Sequence, residues 1–332
     1  GPGSPWCSRV LTRTKVTHPR LCTQCVVYDA LKQGILLLSA LKVLSDTISD
    51  PLLIGLLLCP LLWYGNARED DMDWGQFCIM FRSIFLEGMG RPHAGVRLIL
   101  KNLVRRFREH GGELKLRSGV SRIHVDADRA AGIVLDSGEE ITGTHVLSSA
   151  GAVETMRLCD DVTAALQPAA GQLSFCESIS ILDKPPRAMG HEKTIVFFND
   201  SEKFAWRKPA GELIDVRTGV ICSPNNFAYG AADGELADGV IRITAQADFS
   251  QWQGLSEEQY KLEKLRGYDR MAASAVRFMP DFRGRVIDTD LFTPTTIRRF
   301  TWHDNGAIYG APEKKLDGTT RLKNLFLCGT DQ

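Results

Sequence analysis

Between Gly95 and Gly112 the chain reads GVRLILKNLVRRFREHGG. Val96, Ile99, Leu100, Leu103, Val104 and Phe107 recur at helical spacing, and Lys101, Arg105, Arg106 and Arg108 fall off that stripe. The spacing predicts an amphipathic helix that stops at Gly111-Gly112. Upstream, Asp29 to Leu62 also predicts helix, with Leu31, Ile35, Leu38, Leu41 and Leu44 on one face and a break at Asp50-Pro51. A further helix is predicted over Asp73 to Leu86, after REDDMD, whose negative charges suit a helix start.

Beyond Gly112 the period changes from helix to strand. ELKLR, VSRIHVD, AGIVL, EEIT and HVLSSAG predict short strands, and the Asp136-Ser137-Gly138 turn between Leu135 and Ile141 predicts a hairpin. From Gln172 to Phe249 the strand candidates are LSFCESISIL, TIVFF, GVICS and GVIRITAQADF. Ser256, with Glu258 and Gln259 behind it, reads as the N-cap of a helix that runs toward Pro280. A strand over RVIDTDLFTP, a loop through WHDNGAIYG and a strand at LFLC close the sequence, and no repeat or low-complexity tract interrupts it.

Composition narrows the classes. The 332 residues are 44% apolar and 24% charged, which suits one large globular domain or two connected ones. Lys+Arg and Asp+Glu number 40 each, so no global field steers the chain to nucleic acid. Nine scattered Cys point to free thiols in a reducing compartment, and hence to a cytoplasmic protein. The apolar run PLLIGLLLCPLLWYG is shorter than the ~20 residues that span a bilayer and contains Pro60, so it predicts a buried helix, the lining of a greasy channel or a peripheral membrane contact. Gly1-Pro2-Gly3-Ser4 reads as the scar of a cleaved tag.

Familiar catalytic signatures are missing: the sequence has no G-x-x-x-x-G-K, G-x-S-x-G, H-E-x-x-H or G-x-G-x-x-G. Cys22-Thr23-Gln24-Cys25 is a lone C-x-x-C without a second pair, and no metal site is predicted. What the chain does carry is three ordered blocks: the stretch from Arg91 to Gly151, then TPTTIRRFTWHDNGAIYG, then the terminal NLFLCGTDQ. In that order they resemble FAD-dependent oxidoreductases of the phytoene desaturase, carotenoid isomerase and retinol saturase group, within the amine-oxidase-like flavoprotein superfamily.

The resemblance implies an α/β fold: a partial FAD-binding, Rossmann-like domain with a substrate domain of mixed or antiparallel sheet plus helices. Residues 5–90 would be the helical part of the substrate domain, 91–151 a remnant of the FAD-binding domain, 152–320 the substrate-binding sheet, and 321–332 a return strand of the FAD-binding domain. It also implies that the N-terminal dinucleotide-binding unit and the C-terminal helix are lacking here. FAD would then be the cofactor of the full-length parent, bound weakly or not at all by this fragment, which would itself be inactive. The parent would exchange hydride between FAD and carbon-carbon double bonds of a hydrophobic, isoprenoid or carotenoid-like substrate. An amine-oxidase-type enzyme and a non-enzymatic lipid- or prenyl-binding relative are the alternatives.

Site residues follow from the same resemblance. Val120, Ser149, Ala150, Gly329, Thr330 and Asp331 are the implied cofactor contacts, with Asp331 beside the ribityl-pyrophosphate part. Ser174, Cys176, Ser178 and Ser180 alternate onto one face of their strand, which reads either as an edge strand showing Ser to water or as the small-residue floor of a substrate cavity. Gly306, Ala307 and Tyr309 would stand at the cavity's flavin end. No residue is assigned a catalytic role; His303 is the nearest acid or base, but the flavin would carry the chemistry.

Overall fold

A computed structural model describes residues 38–159, 168–230, 233, 234, 236 and 238–332. The predicted helical positions Leu31 and Ile35, the Cys22/Cys25 pair and the four-residue tag scar lie outside the described residues. The fold is mixed α/β, in two compact units.

The first unit holds the described residues among 1–66, 70–89 and 203–206. Its helices are α1 (Ala40–Thr47), α2 (Pro51–Trp63) and α3 (Trp74–Phe81), the last continued by a π-helical turn over Arg82–Glu87. Asp50-Pro51 is a start signal as much as a break. The Asp50 carboxylate accepts from Leu52 N at 2.8 Å, and Pro51 opens α2, where its missing N–H costs nothing. The predicted face of the preceding helix is only partly right, because Leu44 is buried but Leu38 and Leu41 are exposed. Trp206 anchors this unit: it is fully buried, meets Trp63 edge to face at 4.9 Å, and its backbone N donates to Asp70.

The second unit holds the described residues among 67–69, 90–202 and 207–332. It opens with α4 (Val96–Glu109), the helix read from periodicity, none of whose residues is buried. ELKLR forms no strand. The sheet begins instead with β1 (Val120–Asp126), β2 (Arg129–Leu135) and β3 (Glu140–Thr142), the last two being the predicted hairpin. β4 (Val146–Ser148) leads through Gly151 into α5 (Ala152–Leu158).

The larger sheet combines β5 (Ser174–Leu182), β6 (Ile195–Asn199), β7 (Ile214–Cys222), β8 (Gly239–Ala247) and, after two helices, β9 (Val286–Phe292), in the order β6-β7-β8-β5-β9 with every pairing antiparallel. The two helices are α6 (Phe249–Gln253) and α7 (Glu257–Ala275). α7 starts at the N-cap read from sequence, which proves to be a capping box: Ser256 Oγ accepts from Gln259 N and Gln259 Oε1 from Ser256 N. It packs its Met271, Ala272 and Ala275 on Cys176, Ile243 and Leu291 of the sheet. Gly267 lets the helix come close: a Cβ there would lie 2.8 Å from Ile214 Cδ1. After α8 (Pro294–Thr301), β10 (Leu325–Leu327) ends the chain's regular structure and pairs in parallel with β4, with Leu325 opposite Val146 and Leu327 opposite Ser148. That pairing is the one expected from the order of the sequence blocks.

Candidate functional site

Because β4 and β10 run in parallel and end level with each other, the turns that follow them are neighbours. Cys328 N donates to Ser148 O at 2.9 Å, which sets Ser149-Ala150 beside Gly329-Thr330 at the carboxyl ends of the two strands. That end of a parallel sheet is where open α/β folds bind ligands. Ser149, Gly329 and Thr330 are exposed, and a Cβ built on Gly329 would meet nothing. Val120 stands apart from these turns, half-buried at the start of β1 and paired with Leu135.

Asp331 behaves differently from its neighbours. It is 1% exposed. One carboxylate oxygen accepts from Ala152 N, the first residue of α5, at 2.5 Å, and the other from Ala311 N at 2.7 Å. Lys314 Nζ lies 3.5 Å from that second oxygen and also donates to Tyr309 O and Thr330 O. The side chain is therefore turned inward, tying the start of α5, the 309–314 loop and the terminal turn into one knot. Gly310 makes room for it, since a Cβ there would collide with Asp331 Oδ1, and φ of 63° suits glycine as well. The carboxylate that the resemblance implies as a ribityl contact is taken up by internal donors, which tie down the turn.

Behind the knot lies His303, 7% exposed. Its Nδ1 is 3.8 Å from Glu154 Oε2, and its Nε2 is 3.3 Å from Thr330 Oγ1. Glu154 Oε1 accepts from Asp304 N at 2.6 Å, and Asp304 in turn takes both arms of Arg157, at 2.5 and 3.2 Å. Gly151, φ 103°, is needed here, because a Cβ would sit 2.7 Å from His303 Nδ1. Burial pushes the Glu154 carboxyl up, but His303 and the Asp304 amide outweigh it and the net shift is down. The Glu154 carboxylate raises His303, while burial lowers Lys314 against the pull of Asp331. Ligand atoms of Glu154, His303 and Asp331 all lie within 4.8 Å of one another, a spacing a metal ion could use. With Asp331 saturated by two amides and a lysine, and His303 drawn toward its cationic form, the set reads as an internally neutralised charge network.

That network predicts a pH signature. A raised His303 contributes stability that is complete below about pH 6.5, the ordinary value, and is lost as pH rises through the folded-state value. Glu154, lowered, contributes above its ordinary value and loses that contribution only in acid. His191, which burial lowers, works in the opposite sense to His303, so the comparison must be with a variant. The melting-temperature gap between wild type and His303→Gln should be larger at pH 6 than at pH 8; a gap independent of pH would contradict the ion pair.

The strand face expected to floor a substrate cavity packs against a helix instead. β5 lies between β8 and β9, so it is no edge strand. Cys176, Ser178 and Ser180 are fully buried. Cys176 belongs to the core shared with α7, Ser180 Oγ is 2.9 Å from Tyr268 OH on that helix, and burial lifts the Cys176 thiol well above its usual range. Small residues there let a helix approach; they do not leave a cavity floor. Ser174, also buried, donates to Gly306 O at 2.6 Å. Gly306 and Ala307 are likewise buried, and Tyr309 meets Phe175, on the opposite face of β5, edge to face at 6.0 Å. Sequence reasoning missed Glu154, Arg157, Asp304 and Lys314, whose partners are distant in the chain. A first-turn acid on α5 was the one local signal available.

Comparison with known proteins adds to this geometry. No family model matches the chain. It is 22% identical over 263 residues to a prolycopene isomerase of Daucus carota, covering 73% of this chain and 40% of that protein. Prolycopene isomerase 2 of an Oncidium hybrid cultivar is 23% identical over 260 residues, covering 73% and 42%. The chain resembles carotenoid isomerases. The chain spans less than half the length of those curated relatives. Among solved structures, an oxidoreductase from Methanosarcina mazei shares its fold, with a TM-score of 0.57 at 16% identity over 99% of this chain and 68% of that one. Among the described residues no helix is long and apolar enough to cross a membrane.

Proposed function

We propose that this chain is part of a flavin-dependent oxidoreductase acting on carbon-carbon double bonds of a hydrophobic, isoprenoid-like substrate. One observation carries the reading: two turns that expose Ser149, Gly329 and Thr330 stand side by side at the carboxyl ends of parallel strands, in a chain similar in sequence to carotenoid isomerases and in fold to an oxidoreductase. FAD would supply hydride exchange. The exposed backbone of Ser149-Ala150 and Gly329-Thr330 would hold part of it, and Asp331 would keep those turns in place from beneath. On the substrate side, half-buried Tyr309, backed edge to face by the buried Phe175, would offer an apolar ring on the face of β5 that does not meet α7.

The chain has no G-x-G-x-x-G turn to donate amides to a pyrophosphate. By itself it should therefore melt at the same temperature with and without micromolar FAD. A ligand at a hundred times its Kd would raise stability by about 2.7 kcal/mol, so any such shift would contradict this. The function is tested with the full-length gene product, incubated with reduced FAD and a conjugated isoprenoid under nitrogen and read by chromatography. A change in the number or geometry of double bonds is expected. Flavin-bearing protein that leaves every polyene unchanged would sink the substrate assignment, and a protein that retains the polyene without flavin would favour a lipid-binding role.

A further inference from the structure

A cavity of about 630 Å³ opens in the second unit among α5, α6, the start of α7 and α8. Its size falls in the range of small-molecule sites, roughly 300–1,000 Å³. We propose that it binds a planar aromatic anion, a flat ring system bearing a carboxylate or a phosphate.

The walls supply both halves of that recognition. Phe249 and Trp252 line the cavity from the core, 7% and 1% exposed, and Trp252 is held in place by its Nε1, which donates to Leu213 O at 3.0 Å. Trp302 lines it from the other side and is 63% exposed. Its φ of 68° is an outlier for so bulky a residue, at the C-cap of α8. The large indole stands open to solvent at the cavity wall. Flat rings stack on such surfaces.

The charges favour an anion. Arg157, Arg298 and Arg299 line the cavity, against Asp304 and Glu257. Glu257 is already bonded to Lys261 at 2.6 Å, and Asp304 to Arg157. Arg298 contributes to holding the Asp304 carboxyl low, behind the larger effect of Arg157, but no carboxylate forms an ion pair with Arg298 or Arg299 among the described residues. Arg298 lies 5.6 Å from the Phe249 ring centre and Arg299 5.6 Å from that of Phe300, so each guanidinium rests on an aromatic ring with its donors unspent. Two such forks beside an aromatic wall fit carboxylate or phosphate oxygens.

Titration calorimetry and tryptophan quenching on the intact chain would use 2-naphthoate and adenosine monophosphate, with 2-naphthylmethanol and adenosine as neutral counterparts and inorganic phosphate as the ringless one. At least one anion should bind, more tightly than its neutral counterpart and than phosphate, and which of the two binds identifies the head group. Arg298→Met with Arg299→Met should weaken it about tenfold or more, since charge-assisted bonds are the strong ones. Arg285→Met, outside the cavity, should change nothing. Trp302→Ala should weaken it at an unchanged melting temperature. Failure of both anions to bind, equal binding of the neutral counterpart, or affinity retained in the double arginine variant would overturn the proposal.

Discussion

Asp331→Ala should lower the melting temperature by roughly 10 °C, the consequence of about 3–5 kcal/mol for leaving a buried charge network without one partner. The substitution strands Ala152 N and Ala311 N, both buried, and removes the counter-charge of Lys314, which burial already disfavours. Asp331→Asn keeps an acceptor for one amide and should cost distinctly less. In the full-length product the same pair separates positioning from direct contact. If Asp331 acts by holding the turn, Asn should keep most of the flavin. If Asn folds normally and loses the flavin, the carboxylate touches the cofactor. An unchanged melting temperature for Asp331→Ala would show that the knot carries no stability.

Ser178→Trp should be nearly as damaging, and for a reason opposite to the one its sequence context suggested. Ser178 is fully buried on the face shared with Cys176 and Ser180, under α7. An indole there has no space, and overpacking costs about 1–3 kcal/mol even for added methylenes. The variant should lose cooperative unfolding by circular dichroism. Ser178→Ala, which fits, should stay within about 1 kcal/mol of wild type, the worth of one modest hydrogen bond. A Ser178→Trp protein that folds normally and merely refuses a long substrate would restore the cavity-floor reading.

These two residues show where sequence reading stops. The N-cap at Ser256, the Asp-Ser-Gly hairpin and the helix before Gly111 were legible because each is decided within a few residues. Asp50-Pro51 was legible as punctuation, but whether it ends one helix or starts the next depends on where Asp50 points its carboxylate. ELKLR alternates like a strand, yet it pairs with no strand among the described residues. Alternation in β5 correctly grouped Ser174, Cys176, Ser178 and Ser180, but period two cannot say which face meets a helix. The Asp331 knot was harder still. Its bond to Ala152 spans 179 positions, and nothing local distinguishes an acid that binds a ligand from one that ties down the turn.

The visible absorption spectrum of the purified full-length gene product tests the central claim most directly, with the chromophore released by heat and identified by mass. The account predicts a yellow protein that releases FAD in near-equimolar amount. A folded, colourless protein that stays colourless after incubation with excess FAD and desalting would contradict it.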